Sequence, residues 1–252
     1  MEENMNQFLL YGMHPVLEAV RSGKNIDKVL LKQGLEGQQF RDLMELLKEK
    51  NIPFQFVPGE KILKVARGGS HQGVVAFMAQ VDAVSLEQMV DNAFAQHEAP
   101  VFVILDGVSD VRNFGAIART LECAGGSGLI LPAKGGAPLN ADAVKTSAGA
   151  LMRLDVCRVP NLRYAAYFLK QNGFKLIGAT EKVDTVLYDA DMTGPVAIVM
   201  GSEGKGISKA MLDLCDEKVS IPMAGEISSL NVSAAASIML FETVRQRRAC
   251  KD

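Results

Sequence analysis

The sequence predicts an α/β protein in which a small α/β unit precedes a larger, mostly parallel sheet. From Pro100 onward, short apolar strands alternate regularly with amphipathic helices. This order is typical of parallel sheets that helices cover on both faces. The first of these strands, over 101–105, is a continuous apolar run of the kind that parallel sheets bury on both sides. Ligands of such sheets bind at the carboxyl ends of the strands, so we expect a site there.

The first 80 residues predict the smaller unit. Its expected elements are, in order, helix 13–21, strand 28–32, helix 37–50, strand 53–57, a short basic helix and strand 74–81. Gly23 follows the first helix and can end it in a left-handed conformation. Residues 81–99 are expected to be a linker with a short helix that Ser85 caps. The predicted domains are therefore 1–80 and 100–252, joined by this linker.

The larger domain is predicted to contain six strands and five helices. They are strand 101–105, helix 113–124, strand 128–131, helix 141–148, strand 154–159, helix 162–171, strand 175–179, strand 196–200, helix 208–214, a short strand end at 219–221 and a helix from Asn231 to the C-terminus. In the first of these helices, Phe114, Ile117 and Leu121 share one apolar face, and Asn113 is a plausible N-cap.

Composition narrows the class of protein. A net charge of −2 over 252 residues excludes a bulk polycation but permits a local basic groove. The four cysteines form no C-x-x-C pair and the three histidines are far apart, so we expect neither a disulfide framework nor a metal site. Apolar runs are too short for a bilayer, and the acidic, polar start is not that of a signal peptide. A cytoplasmic protein without a membrane partner is expected.

Unusual loops follow three of the predicted strands. The first loop, after 101–105, leads into the helix that carries Asn113 and Arg119. Arg119 lies about 140° around this helix from Phe114, at the edge of the apolar face. Spacing alone favours a surface arginine that pairs with Glu122, three residues further on.

The second loop, over 199–208, contains three glycines and invites comparison with phosphate-binding loops. Alignment of Gly201 and Gly206 with a P-loop puts Ile207 where the lysine is needed. The dinucleotide fingerprint also fails, because Lys209 occupies the third glycine position. Glu203 would repel a polyphosphate. The loop therefore favours a ligand that is neutral or cationic at this point.

The third loop lies within 221–241. It places Ser229 and Asn231 at a helix start, where unpaired backbone N–H groups can bind a ligand. Small residues over 234–237 permit close approach of another backbone or of a ligand. Taken alone, this segment favours a capped helix that packs on a sheet.

Together the three loops resemble those of a known family. The segments L-D-G-V-x-D-x-x-N-F-G-A-I-A-R-T, I-V-M-G-S-E-G-x-G-I and I-P-M-x-G-x-x-x-S-L-N-V-S-A-A are similar to the three motifs of the SpoU-type (TrmH-type) RNA 2′-O-ribose methyltransferases of the SPOUT superfamily, over about residues 100–248. The N-terminal Y-G-M-H-P-V-L-E-A-V and H-Q-G-V-V resemble the L30e-like substrate-binding domain of the bacterial 23S rRNA guanosine 2′-O-methyltransferase subgroup.

The resemblance implies a trefoil knot in the C-terminal domain, S-adenosylmethionine as methyl donor, and a homodimer in which Asn113 and Arg119 of one subunit lie near the donor of the other. The cofactor positions that it implies are Thr180, Gly201, Ile221, Met223, Ser229 and Leu230. The catalytic set that it implies is Asn113, Arg119, Glu203, Ser229 and Asn231. Candidate RNA phosphate contacts are Lys61, Lys64, Arg67 and Arg112, although Lys61, Lys64 and Arg67 also fit an ordinary solvated face.

Methylation of a ribose 2′-hydroxyl of 23S rRNA, at a guanosine, is the activity that the resemblance implies. Arg119 is expected to orient the hydroxyl or a phosphate, because a guanidinium is a poor base. The same reaction on tRNA is one alternative, and a non-catalytic RNA-binding module is another. A nucleotide-dependent oxidoreductase is disfavoured by the broken glycine fingerprints.

Overall fold

The structure of the protein is a computed structural model that describes residues 9–66, 71–78, 81, 83–181, 183–226 and 229–250. The chain divides into two compact units. Unit 1 comprises Met1–Asp82 and Pro138–Ala141, and unit 2 comprises Ala83–Ala137 and Asp142–Asp252. No helix in the described ranges is long and apolar enough to cross a membrane.

Unit 1 contains a four-stranded mixed sheet with the strand order β1-β4-β2-β3. Its elements are β1 (Leu9–Tyr11), α1 (Met13–Arg21), β2 (Ile26–Lys32), α2 (Gln38–Glu49), β3 (Phe54–Val57), α3 (Gly59–Ala66) and β4 (Val74–Met78). β2 pairs with β3 in parallel, whereas β4 runs antiparallel to both β1 and β2. The three-residue β1 is too short to show a periodic pattern, and the sequence did not predict it.

Helix α1 follows the sequence prediction closely. It covers 13–21, and Gly23 beyond its end has φ 71°. The Gly23 N–H donates to the Val20 carbonyl at 3.2 Å, which satisfies one of the carbonyls left open at a helix end. The apolar face of α1 packs with Leu43 and Leu47 of α2, both fully buried.

Unit 2 contains a seven-stranded sheet with the order β11-β9-β10-β6-β7-β8-β5, in which every neighbouring pair is parallel. The strands are β5 (Ala83–Val84), β6 (Val101–Asp106), β7 (Gly128–Pro132), β8 (Asp155–Val159), β9 (Lys175–Ala179), β10 (Val196–Gly201) and β11 (Glu217–Val219). The helices are α4 (Leu86–Gln96), α5 (Val111–Cys123), α6 (Ala141–Thr146), α7 (Leu162–Gln171), α8 (Lys209–Leu212) and α9 (Val232–Ala249). The predicted α/β class and parallel sheet are confirmed.

The segment expected to be a linker carries β5 and α4, which both belong to unit 2. β5 pairs with β8 at one edge of the sheet. Ser85 caps α4 as predicted, in a reciprocal capping box with Gln88. Met89 and Val90 of α4 are buried in the core of unit 2, so this segment is part of the sheet's packing.

The strand order positions the candidate site. After β8 the chain crosses to β9, on the other side of β6 and β10, so β6 and β10 become neighbours although β6 ends at Asp106 and β10 ends only at Gly201. Such a reversal of strand order leaves a crevice at the carboxyl ends of the two strands. The trefoil knot that the resemblance implies stays a prediction.

Candidate active site

A cavity of about 330 Å³ lies at the carboxyl ends of β9 and β10 and against the loop that follows β11. All six positions that the resemblance assigned to the cofactor line this cavity: Thr180, Gly201, Ile221, Met223, Ser229 and Leu230. The Thr180 N–H donates to the Val219 carbonyl at 2.9 Å and so joins two of the loops. The structure therefore brings the loops after β9, β10 and β11 together around one cavity, and cofactor contact by these residues stays a prediction.

Gly201 ends β10 in a place where no side chain fits. A Cβ atom built there would lie 2.0 Å from the Gly206 carbonyl carbon and 2.1 Å from the Ile207 nitrogen. The close approach arises because Ser202 and Gly206 form two backbone hydrogen bonds, at 3.1 and 2.8 Å. The resulting tight turn, 202–206, holds Glu203 at the cavity wall.

The end of β6 is tied to the same turn. The Ser208 N–H donates to Oδ2 of Asp106 at 2.7 Å. Gly107 has φ 82°, which favours glycine, and a Cβ atom built there would lie 3.5 Å from Cβ of Ser202. The loops after β6 and β10 therefore approach each other closely enough for their side chains to meet.

The side chains of Asn113 and Asn231 both donate hydrogen bonds to the carboxylate of Glu203. Nδ2 of Asn113 donates to Oε1 of Glu203 at 2.9 Å. Nδ2 of Asn231 donates to Oδ1 of Asn113 at 3.0 Å and also to Oε1 of Glu203. Amide donors of this kind stabilise an ionised carboxylate. The cluster Asn113–Glu203–Asn231 unites three of the five predicted catalytic residues, and a fourth, Ser229, lines the adjoining cavity.

The expected N-cap role of Asn113 is wrong. Helix α5 begins two residues earlier, at Val111, and Asp110 is the N-cap. Oδ1 of Asp110 accepts hydrogen bonds from the N–H groups of Arg112 and Asn113, at 3.0 and 2.9 Å. Aspartate and asparagine are equally good caps, so the sequence alone did not separate the two positions. Because Asp110 serves as the cap, the Asn113 amide is available to Glu203.

Asn231 is the N-cap of α9, which begins where the sequence predicted a helix start. Its Oδ1 accepts from the Ser233 N–H at 2.9 Å and from the Ser233 hydroxyl at 2.6 Å. These two bonds turn the NH₂ group of Asn231 toward Glu203. Ser233 was not among the predicted site residues, and its spacing of two from a capping asparagine was the signal that could have identified it.

The small residues at the start of α9 lie at the cavity or at the contact between α9 and α5. Ala235 lines the cavity, so the helix backbone approaches the ligand space closely. Two residues further on, the hydroxyl group of Ser237 lies 3.2 Å from that of Thr120 and joins α9 to α5. The expectation that these residues let α9 lie close to the cofactor loop fits this arrangement.

Arg119 projects from α5 as an exposed residue. Its expected partner, Glu122, instead pairs with Nη1 of Arg153 at 3.3 Å, so the simple surface pair is wrong. Arg119 has no side-chain hydrogen bond or ion pair with any described residue. It is also not one of the residues that line the cavity of its own chain. Its guanidinium is free to contact another molecule.

The candidate RNA contacts are divided between the two units. Lys61 and Lys64 are exposed on α3 of unit 1, and Arg112 is exposed on α5 of unit 2. Within the described ranges, none of these three side chains has a hydrogen-bond or ion-pair partner. Arg67 lies outside the described residues.

Two thiols of unit 2, those of Cys157 and Cys215, are largely shielded from solvent and unreactive. Burial raises the pKa of Cys215 to about 11 and that of Cys157 to about 12, so both are protonated at neutral pH. Among the residues that the structure describes, no three His, Cys, Asp or Glu side chains are arranged to hold a metal ion.

Comparison with known families identifies both units. Residues 100–241 match the model of the SpoU rRNA methylase family. Residues 9–83 match the model described as RNA 2′-O ribose methyltransferase substrate binding.

Individual relatives align over nearly the whole chain. A putative TrmH family tRNA/rRNA methyltransferase of Staphylococcus haemolyticus is 36% identical over 248 residues, 98% of this chain and 99% of that protein. The 23S rRNA (guanosine-2′-O-)-methyltransferase RlmB of Vibrio parahaemolyticus is 36% identical over 250 residues, 98% of this chain and 100% of that protein.

Among solved structures, the SpoU methyltransferase AviRb of Streptomyces viridochromogenes, in complex with the cofactor AdoMet, superposes with a TM-score of 0.62 and 29% identity. The match covers 96% of this chain and 91% of that one. Since the first family model spans more than half of the 252 residues and the relatives match nearly all of them, this chain belongs to the SpoU rRNA methylase family.

Proposed function

We propose that this protein is an S-adenosylmethionine-dependent methyltransferase that modifies a ribose 2′-hydroxyl in RNA, with a guanosine of 23S rRNA as its target. The observation that carries the proposal is the meeting of six cofactor positions around one cavity, beside the cluster Asn113–Glu203–Asn231. The Vibrio relative named for 23S rRNA guanosine supports the choice of target.

The cavity suits this donor. Its volume of about 330 Å³ is in the range of small-ligand sites. Glu181 and Glu203 line it, which disfavours a polyphosphate and favours a ligand that carries positive charge. When bound, S-adenosylmethionine supplies an activated methyl group on a sulfonium centre. Backbone groups near Gly201 and Ile221 can approach a nucleoside directly because Gly201 has no side chain.

The chain's own residues position the acceptor. Glu203 is held by amide donors from Asn113 and Asn231, so its carboxylate has a fixed place beside the cavity. Asn231 is itself held by Ser233. Arg119 orients the 2′-hydroxyl or a neighbouring phosphate and does not remove the proton, since a guanidinium keeps its proton in proteins and is a poor base. Positioning of this kind lowers the barrier by supplying orientation in advance.

The active form in this proposal is a homodimer. Asn113 contacts Glu203 of its own chain, so we assign it to its own subunit's site. Arg119 does not line the cavity of its own chain, which fits a role at the partner's site. Residues 1–80 form the RNA substrate-binding domain and residues 100–252 the methyltransferase domain. Lys61, Lys64, Arg67 and Arg112 contact phosphates, and the C-terminal domain contains the trefoil knot.

Two measurements test the proposal. Incubation with rRNA and a methyl-labelled donor, followed by mapping of 2′-O-methyl groups, should reveal a modified guanosine of 23S rRNA. Methyl transfer to tRNA alone would favour the tRNA alternative, which the tRNA/rRNA name of the Staphylococcus relative keeps open. Calorimetric titration with S-adenosylmethionine separates an enzyme from a non-catalytic RNA-binding module, because the module would not bind the donor.

A further inference from the structure

Lys205 holds a defined place at the cavity wall. It lies in the tight turn 202–206, which is closed by two backbone hydrogen bonds between Ser202 and Gly206. Gly206 has φ 66°, a conformation that favours glycine and fixes the turn. Lys205 is exposed and lines the cavity, and its ammonium group has no ion-pair or hydrogen-bond partner among the described residues.

The charges around the cavity form a specific pattern. In the described part of the chain, the charged residues that line it are Glu181, Glu203 and Lys205. The wall thus presents two carboxylates and one ammonium. At neutral pH, S-adenosylmethionine carries the opposite set: a sulfonium and an α-ammonium, both positive, and one α-carboxylate. The two sets of charges are complementary.

The carboxylate of this ligand needs a cation. In a cavity that already holds two carboxylates, a third would be repelled unless a positive group neutralised it. Lys205 is the cationic residue available at the wall, and its flexible four-carbon stem lets the ammonium follow the ligand. We propose that Lys205 binds the α-carboxylate of the methyl donor and selects donors that carry an intact amino-acid moiety. This inference rests on the proposed function.

An RNA phosphate is the other anion that an exposed lysine could bind. Its approach to this turn is disfavoured, because Glu203 lies two residues away and Glu181 lines the same cavity. A phosphate at Lys205 would therefore be repelled by these two carboxylates. An amino-acid group is repelled less, because its own ammonium is attracted to them.

The test compares two ligands on one variant. Isothermal titration calorimetry would measure binding of S-adenosylmethionine and of 5′-methylthioadenosine, which keeps the nucleoside but has a neutral thioether in place of the sulfonium and lacks the amino-acid moiety. In Lys205→Met, we expect the dissociation constant for S-adenosylmethionine to rise by about threefold to tenfold, the range of an exposed charge pair. The constant for 5′-methylthioadenosine should stay unchanged. Lys209→Met is the matched control, since Lys209 is exposed nearby but does not line the cavity.

The outcomes are distinct. Equal weakening of both ligands in Lys205→Met, or no change in either, overturns the inference while the proposed function stands. The inference is also overturned, while the proposed function stands, if Lys205→Met weakens salt-dependent RNA binding and leaves the donor affinity intact. A loss as large in Lys209→Met also overturns it, because the effect would then be general electrostatics. If the wild-type protein binds neither ligand, the proposed function fails and the inference with it.

Discussion

Nδ2 of Asn113 lies 2.9 Å from Oε1 of Glu203, although ninety residues separate the two in sequence. The bond connects the helix that follows β6 to the turn that follows β10. It exists because β6 and β10 are neighbours in the sheet and because Asp110 caps α5 in place of Asn113. The reversal of strand order therefore brings the Asn113 amide within hydrogen-bond distance of the Glu203 carboxylate.

The charge of Glu203 is the first target for mutation. Glu203→Gln keeps the size and one acceptor oxygen but removes the charge that strengthens the bonds from Asn113 and Asn231. We expect methyl transfer to fall by about tenfold to a hundredfold, with a circular dichroism spectrum like that of the wild type. Single-turnover kinetics measure the effect, and an unchanged rate would remove Glu203 from the catalytic set.

Gly201 is predicted to tolerate no side chain. Gly201→Ala places a Cβ within 2.1 Å of backbone atoms of Gly206 and Ile207, so the turn must move. Overpacking of this kind costs about 1 to 3 kcal/mol, a fall in Tm of roughly 2 to 10 °C. Gly204→Ala is the control, because nothing lies within 4 Å of its added Cβ. Equal Tm values for the two variants would contradict the packing argument.

Ser233 acts through Asn231. Ser233→Ala removes the hydroxyl bond at 2.6 Å but keeps the backbone N–H bond at 2.9 Å. We expect a stability loss of about 1 kcal/mol and a lower kcat with little change in donor affinity. Ser233→Thr keeps a hydroxyl and should restore kcat. If alanine and threonine lower kcat equally, the hydroxyl does not position Asn231.

The homodimer proposal predicts complementation between two inactive variants. If Arg119 acts at the partner's cavity, mixed dimers of Arg119→Ala and Glu203→Ala each contain one intact site. With random pairing in a twofold dimer, about a quarter of the wild-type activity should return. Activity of the unfractionated mixture measures this, and mixed dimers isolated through two different tags should show about half of the wild-type activity. Pure dimers of either variant are the controls, and no recovery in the mixture would place Arg119 at its own subunit's site.

Cys215 predicts a pH dependence of stability. Burial raises its pKa from 9.0 to about 11 in the folded state. The unfolded thiol loses its proton first as the pH rises, so the unfolded state is favoured progressively between pH 9 and 11. Urea unfolding from pH 8 to 11 should show a smaller decline in Cys215→Ala than in the wild type. Identical declines would mean that Cys215 contributes nothing to this slope.

Regular elements with strong periodicity were predictable from sequence. The bounds of α1, α7 and β9 agree with the predictions because apolar spacing and neighbouring glycine, asparagine or proline mark their ends. β1 and β5 contain three and two residues, and such short strands exist only because a partner strand pairs with them. The linker expected at 81–99 illustrates this, since β5 and α4 depend on the sheet of unit 2.

The candidate site could be predicted only in part from the sequence. Spacing alone favoured a pair between Arg119 and Glu122, and it favoured Asn113 as an N-cap. Both expectations are wrong: Arg153, which is distant in sequence, pairs with Glu122, and Asp110, an equally good cap three residues before Asn113, caps the helix. The family resemblance supplied the cofactor positions, and strand order explains why residues from 180 to 230 line one cavity. The support of Asn231 by Ser233 follows from local geometry that no motif specifies.

The central claim is 2′-O-methylation of an RNA ribose at the cavity beside Glu203. The most direct measurement maps 2′-O-methyl groups on unmodified 23S rRNA and tRNA after incubation with S-adenosylmethionine, for the wild type and for Glu203→Gln. We expect donor-dependent methylation of a 23S rRNA guanosine by the wild type and strongly reduced methylation by Glu203→Gln. Methylation of a base in place of a ribose, transfer to tRNA alone, or no transfer by the wild type would contradict it.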